Sequence, residues 1–310
     1  MDNICHTLVG AALAEAGLKR RTALGSATLM IAANFPDIDV IAVPLGHSLG
    51  FRRGITHGIP ALVILPFVLT LIMLAWHRWR GKGPSPDARG LLLLSAIGIL
   101  THPFLDWMNT YGMRWLMPID GTWWYADTLF IVDPWIWIAL GVGVWMSRRR
   151  ERSGAAARSM VPARVALFAA SAYIAVMGFL SVSALGKVRG ALQARGISAD
   201  TVVVDPVFGS VVRRRVIYLW NGDYHFATYR LLPGDLSDPW LGIPVNVDDP
   251  AVATANRTAK AREYHSWTRL PYYVIERERD STWVTIADAR YSLDGSSSWA
   301  VVRIPVPAVP

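Results

Sequence analysis

The sequence predicts a membrane protein in two parts. An α-helical transmembrane bundle of four strong and two short apolar helices occupies residues 1–186, and a small β-rich (α+β) soluble domain occupies residues 187–310. Three observations predict it. Hydrophobic residues make up 53% of the 310, and mean hydropathy is +0.30, high for a soluble protein. Residues 59–77, 90–107, 131–146 and 163–185 form long apolar runs bounded by polar or basic segments. From Lys187 onward the apolar runs become short and alternate with polar residues, which is the pattern of strands.

The two short helices come first. Residues 6–18 end at Gly17 and the basic run Lys19-Arg20-Arg21, and residues 22–35 stop at Pro36. Each is shorter than the roughly 20 residues that cross a bilayer, so they read as a helical hairpin packed within the bundle. Gly10, Ala11, Ala14, Gly25 and Ala32 would allow close helix approach. A polar connection, 36–58, carries Asp37, Asp39, His47, Arg52, Arg53 and His57. The span 59–77 follows, then the basic loop 78–89, then the span 90–107 containing His102 and Asp106. Residues 108–130 form a loop rich in Trp, Tyr and Asp. The span 131–146 ends at Ser147-Arg148-Arg149-Arg150, and 163–185 is the last span.

In the C-terminal part, strands are expected over 201–204, 211–220, 224–231, 272–275, 283–287 and 299–304. They form a small antiparallel sheet with a helix near 250–263. Turn residues such as Asn221-Gly222 and Asp294-Gly295 separate them.

Charge orients the bundle. Net charge is +8, but the arginines cluster beside apolar spans, at 19–21, 78–89 and 148–164. That distribution favours membrane orientation over nucleic-acid binding, and no nucleic acid partner is expected. If these loops are cytoplasmic, His6, the 37–57 connection, His102, Asp106 and residues 120–133 all lie at the non-cytoplasmic ends. With six spans the C-terminal domain lies outside too. No signal peptide is evident at the N-terminus. The single Cys5 excludes an intrachain disulfide and a cysteine-based zinc site.

The candidate chemistry gathers on that one face. His102 and Asp106 stand four residues apart, on one face of a helix. Ionisable groups in an apolar span point to function, although a hydrogen-bonded pair at a helix end is the plainer reading. His6 either caps or ligates at the start of the first helix. Asp37 and Asp39 are either turn and cap residues or paired metal ligands. His57 is an interfacial helix-start residue or a ligand, and Arg53 contacts lipid headgroups or a substrate. Asp127 and Asp133 read as solvated loop and cap residues. His47 and His77 read as structural or solvated, and His225 and His265 as exposed. What the plain readings leave unexplained is three histidines and three carboxylates on one side of the bundle. Imidazole with carboxylate suits Zn, Mn or Fe better than Ca or Mg.

The pattern His6-x-x-x-Gly10, Pro36-Asp37-x-Asp39, Arg53-Gly54-x-Thr56-His57, His102-x-x-x-Asp106 and Tyr111-Gly112 resembles the membrane-bound metal-dependent hydrolase family, also described as LexA-binding, inner-membrane-associated hydrolases. The resemblance covers about residues 1–185 and keeps motif order. Gly58 stands where the family usually has Ser. Leu270-Pro271-Tyr272 and Ile286 to Tyr291 resemble the soluble C-terminal extension of many members. The His-x-x-x-Asp element is also similar, distantly, to that of zinc-dependent phospholipase C and its nuclease relatives, which implies phosphoesters.

The resemblance implies hydrolysis by metal-activated water at the bacterial inner membrane, acting on a phosphoester or lipid-like envelope substrate. His6, Asp37, Asp39, His57, His102 and Asp106 would hold one or two divalent ions, Zn before Mn or Fe. Arg53 would neutralise anionic substrate oxygens, and Asp39 could instead be the general base. The competing reading is a non-catalytic metal-binding scaffold or regulator of a protein partner.

Overall fold

The structure, a computed structural model, describes residues 1–42, 51–155, 158–278 and 281–307. His47 lies outside the described residues. The described residues fall into two compact units, one built from Met1–Ala42 and Arg53–Phe179, the other from Phe51, Arg52 and the chain from Leu180 onward.

The first unit is helical. Helix α1 (Asn3–Glu15) starts earlier than residue 6 because Asp2 caps it, accepting from the backbone N–H groups of Ile4 and Cys5 at 3.0 Å each. Helix α2 (Gly25–Ala32) is shorter than the expected 22–35. Leu24 adopts a left-handed conformation before it, and the chain tightens into a 3₁₀ helix, Phe35–Ala42, after it. Helices α3 (Ile59–Arg80) and α4 (Ala88–Trp107) follow, then α5 (Pro134–Arg152) and α6 (Val161–Ala194). The small residues do pack closely. A Cβ on Gly10 would stand 2.6 Å from the Leu29 carbonyl oxygen, so α1 and α2 touch backbone to backbone.

Among the described residues three helices are long and apolar enough to cross a membrane, α3, α4 and α6, rather than the four strong spans expected. The discrepancy is α5. Its last turns carry Arg148, Arg149, Arg150, Glu151 and Arg152, leaving about 14 apolar residues, or about 21 Å of helix. A hydrocarbon core is about 30 Å thick. α5 runs beside α1 in the same direction. The Trp137 ring N–H donates to Asp2 at 3.2 Å at one end, and Arg148 pairs with Glu15 at 3.0 Å at the other.

In the second unit α6 runs nine residues past the expected end of the last span. Ala184, Val188 and Leu192, spaced four apart on one face, form a core with Val204, Val216, Tyr218, Ala227 and Tyr229. These belong to a five-stranded antiparallel sheet of β1 (Thr201–Val207), β2 (Ser210–Trp220), β3 (Asp223–Arg230), β4 (Asp235–Leu236) and β5 (Leu241–Pro244). Asn221 and Gly222, both at positive φ (54° and 83°), make the tight turn between β2 and β3.

A single sheet was expected, and there are two. The second comprises β6 (Pro271–Arg277), β7 (Ser281–Asp288) and β8 (Val301–Pro307). Side chains alternate across the first sheet. Val204, Val216 and Ala227 face α6, while their neighbours Val203, Ile217 and Phe226 pack with Tyr272 and Ala287 of the second sheet. The helix expected near 250–263 is also two, α7 (Pro250–Asn256) and α8 (Ala259–His265), because Thr258 caps a new start by accepting from the Ala261 N–H.

His225 and His265 are half-buried rather than exposed. His225 stacks on Tyr218, with centroids 5.1 Å apart, and His265 bonds Asn256 at 2.9 Å. Strand alternation does not show that His225 sits over Tyr218, nor does the 250–263 pattern show that His265, at the end of α8, reaches Asn256 on α7.

Candidate metal centre

Four helix ends of the first unit supply the site. α4 projects His102 and Asp106, spaced i,i+4, to one side, and both are buried. The helix continues through Pro103 to Trp107. The 3₁₀ helix after α2 brings Asp37 and Asp39. The loop before α3 brings Arg53, Thr56 and His57, and α1 brings His6.

Asp37, His57, His102 and Asp106 converge, each offering one ligand atom, with all four atoms within 4.8 Å of one another. The two imidazole Nε2 atoms stand 3.2 Å apart. Asp37 Oδ1 lies 3.7 Å from each of them. Asp106 Oδ2 lies 3.6 Å from that of His57 and 3.5 Å from that of His102.

The outer ring nitrogens decide what this cluster can hold. His102 Nδ1 is 2.7 Å from the Ala33 carbonyl oxygen, so Nδ1 carries a proton, and when the ring is neutral its lone pair lies on Nε2. His57 Nδ1 faces the Thr56 hydroxyl at 3.0 Å and Asp39 Oδ2 at 3.5 Å, which places its lone pair on Nε2 as well. With both rings neutral, two lone pairs at 3.2 Å, flanked by two carboxylates, repel one another unless a proton or a metal cation lies between them. Bonds of about 2.0–2.1 Å to a divalent first-row ion separate neighbouring ligand atoms by roughly 3.0–3.4 Å, close to the spacings seen. The buried cluster of two Asp and two His could therefore hold a metal ion, and its outer hydrogen bonds orient both imidazoles for that task.

The other expected site residues stand around this cluster. His6 is buried beside it: its ring stacks on His102, centroids 3.8 Å apart, and its Nε2 is 3.3 Å from Asp106 Oδ1. Among the described residues its Nδ1 has no hydrogen-bond partner. Asp39 stands behind His57. It accepts from the Arg53 backbone N–H at 2.8 Å and from the Thr56 hydroxyl at 3.4 Å, tying the 53–57 loop down.

Arg53 points inward. Its backbone is left-handed (φ 52°), and its buried guanidinium grips Asp106 through Nε at 2.8 Å and Nη2 at 3.0 Å. Nη1 donates to Gly112 O at 2.9 Å and Asn109 Oδ1 at 3.2 Å, and the Tyr111 ring lies 4.5 Å from the guanidinium carbon. The guanidinium is thus engaged by protein acceptors, a different placement from one aimed at a substrate oxygen.

Asp133 caps α5, accepting from the N–H groups of Trp135 and Ile136, and Asp127 sits at positive φ in the 108–130 loop. Sequence reasoning missed Asn109. It is fully buried, and its Oδ1 accepts from both Arg53 and the Tyr111 N–H. Its place three residues after Asp106 was the available signal.

The chain is 26% identical over 114 residues to the uncharacterised protein YfhP of Bacillus subtilis (strain 168). That stretch is 36% of this chain, and it spans only about a third (33%) of YfhP. No solved structure matches. The family model described as YdjM inner membrane protein matches residues 1–184. That match and the three apolar helices support a membrane location. A match over more than half of the chain, carrying the whole candidate metal centre, means that this chain belongs to the YdjM inner membrane protein family, the inner-membrane family to which metal-dependent hydrolysis is ascribed and which its motifs resemble.

Proposed function

We propose that this protein is a membrane-bound metal-dependent hydrolase acting on a phosphoester, with a lipid or other envelope molecule as substrate. The observation that carries the reading is the convergence of Asp37, His57, His102 and Asp106, whose ligand atoms lie within 4.8 Å of one another. A divalent ion held by these four residues, Zn before Mn or Fe, would supply Lewis acidity to a phosphoryl oxygen and lower the pKa of water.

The chain's own residues do the rest. Ala33 O and the Thr56–Asp39 pair keep both imidazoles in the ligating tautomer. Arg53 holds the Asp106 carboxylate in place. His6, stacked on His102 with a buried Nδ1 that has no partner among the described residues, would accept a proton or ligate a second ion. Asp39, at 3.5 Å from His57 Nδ1, is better placed to orient that imidazole than to serve as general base.

In the same proposal the site faces the non-cytoplasmic side and α5 crosses as a short helix alongside α1, so that the second unit also lies outside. Basic residues at Lys19 to Arg21, Arg78 to Arg89 and Arg148 to Arg152 favour that orientation.

The test is metal analysis of the purified full chain, followed by assays on generic phosphoesters and phospholipids. Bound metal should fall in His57→Ala and His102→Ala. Metal absent from wild type, or retained unchanged in both variants, overturns the site. Metal bound without hydrolysis across broad substrates favours a metal-dependent scaffold or regulator. A reporter fused after Pro310 should be active only outside the cytoplasm, and the reverse result overturns the orientation.

A further inference from the structure

The segments that build the partly open side of the metal cluster share an unusual feature. Asp37 is its one ligand with partial exposure, the other three being buried. Ile38 and Ile41, on the 3₁₀ helix that carries Asp37, are 45% and 61% exposed. Ile4 follows Asn3, whose side-chain amide reaches Asp37 Oδ2 at 3.3 Å, and is 54% exposed. Ile55 lies between Arg53 and His57 and is 56% exposed. Thus three separate segments each turn a site residue inward and an isoleucine outward. Scattered single apolar residues at a surface need no explanation, but a set recurring beside one polar centre marks an interaction site.

The occupant is argued from what these residues adjoin. Ile55 is followed by Ile59, which opens α3 and is itself exposed, and α3 is one of the three helices able to cross a membrane. Its exposed Val63, Ile64, Phe67 and Leu71 continue along the helix. Ile55 therefore lies where the exposed apolar face of a span meets the metal cluster, and Ile38 and Ile41 stand on the segment that carries its Asp37. A water-borne substrate gains nothing from them, whereas acyl chains already in the bilayer would bury them.

We infer that the site takes its substrate from the lipid phase: an amphipathic phospholipid-type molecule whose acyl chains lie on Ile4, Ile38, Ile41 and Ile55 while its phosphoryl headgroup reaches the cluster at Asp37. The inference rests on the hydrolase reading for the chemistry, but not for the binding.

Two measurements on the reconstituted full chain separate them. The first uses a phosphatidylglycerol carrying a diazirine in one acyl chain, in vesicles of phosphatidylethanolamine and phosphatidylglycerol, with the labelled residues located by mass spectrometry. Label is expected on 38–41 and 55–59 and is expected to fall in the Ile38→Ser/Ile55→Ser double variant. Label confined to the faces of α3 and α6 overturns the inference. The second compares hydrolysis of a long-chain phospholipid with that of its short-chain, water-soluble analogue bearing the same headgroup. The double variant should lose about tenfold or more on the long-chain lipid and little on the short one, while keeping its bound metal. Equal rates on both lipids in wild type, or equal losses on both in the variant, overturn the lipid route and leave the hydrolase reading standing. Hydrolysis of neither, with label on the isoleucine segments, sinks the hydrolase reading and leaves the lipid surface standing.

Discussion

Arg53 tests most sharply how this site is built. Two roles are open to an arginine beside a metal cluster: binding an anionic substrate, or holding a ligand. The structure gives Arg53 a two-point grip on Asp106, at 2.8 and 3.0 Å, and two further bonds to Gly112 O and Asn109 Oδ1. Asp106 is buried and also pairs with the N-terminal amino group of Met1, so Arg53→Met leaves its Oδ2 side among histidine neighbours without the guanidinium. Breaking one side of a buried ion pair costs about 3–5 kcal/mol. Arg53→Lys keeps the charge but not the planar fork, and losing a charge-assisted bond costs about 1.5–3 kcal/mol. Because Asp106 is also a ligand, metal affinity should drop with stability, by about 10–100-fold for a residue that orients a metal ligand. Thermal unfolding of the detergent-solubilised chain, with metal affinity measured by titration, reads both quantities. The expected order is wild type, then Arg53→Lys, then Arg53→Met, for both. If Arg53→Met keeps wild-type stability and metal affinity and loses only hydrolysis, the guanidinium serves the substrate and the positioning argument fails.

Other perturbations follow from the same contacts. Gly58 departs from the family's usual Ser, and a Cβ there would stand 2.3 Å from the Met117 carbonyl oxygen. Gly58→Ser should destabilise the chain by about 1–3 kcal/mol, and an unchanged thermal midpoint would contradict the close approach of the 115–119 loop. Chelation should lower the thermal midpoint of wild type but not of His102→Ala. A metal at 100 times its dissociation constant stabilises by about 2.7 kcal/mol, so identical responses would argue against a metal at this cluster. In the second unit, burial raises the pKa of Asp288, but Arg290 and the surrounding donors outweigh it and hold the carboxylate at about 2. The unfolded chain protonates first as pH falls. The ionised carboxylate therefore adds roughly 2 kcal/mol above about pH 4, lost as pH falls through about 2. Asp288→Asn should unfold more easily at neutral pH and show a flatter acid limb in near-ultraviolet circular dichroism, and an acid limb matching wild type would refute the assignment.

Much of this protein is written locally in its chain. Hydropathy marks α3, α4 and α6, because lipid selects apolar side chains residue by residue. The i,i+4 spacing of His102 and Asp106 places both on one helix face wherever the helix sits. Period-two alternation and Asn221-Gly222 announce the β2–β3 hairpin. The run 131–146 reads as a strong span, but its first three residues precede α5, which starts at Pro134 behind the Asp133 cap, so only about 14 residues remain before Arg148.

What the sequence by itself determined, then, was a membrane helix bundle, a β-rich second part and a set of histidines and carboxylates at one end of the helices. Only the tertiary structure decided which of them meet. His57 and His102 are 45 residues apart, and His102 takes its tautomer from a carbonyl 69 residues away, at Ala33. The close packing of α1, α2 and α4 brings those groups together, and their distances depend on side-chain volumes along whole helices. That same packing turned Arg53 inward onto Asp106, set Asp39 behind His57 and laid His6 flat against His102. Residue type and spacing specify what a side chain can do chemically. Whether it ligates, orients or stacks is set by neighbours distant in the chain, and those exist only once the helices have packed.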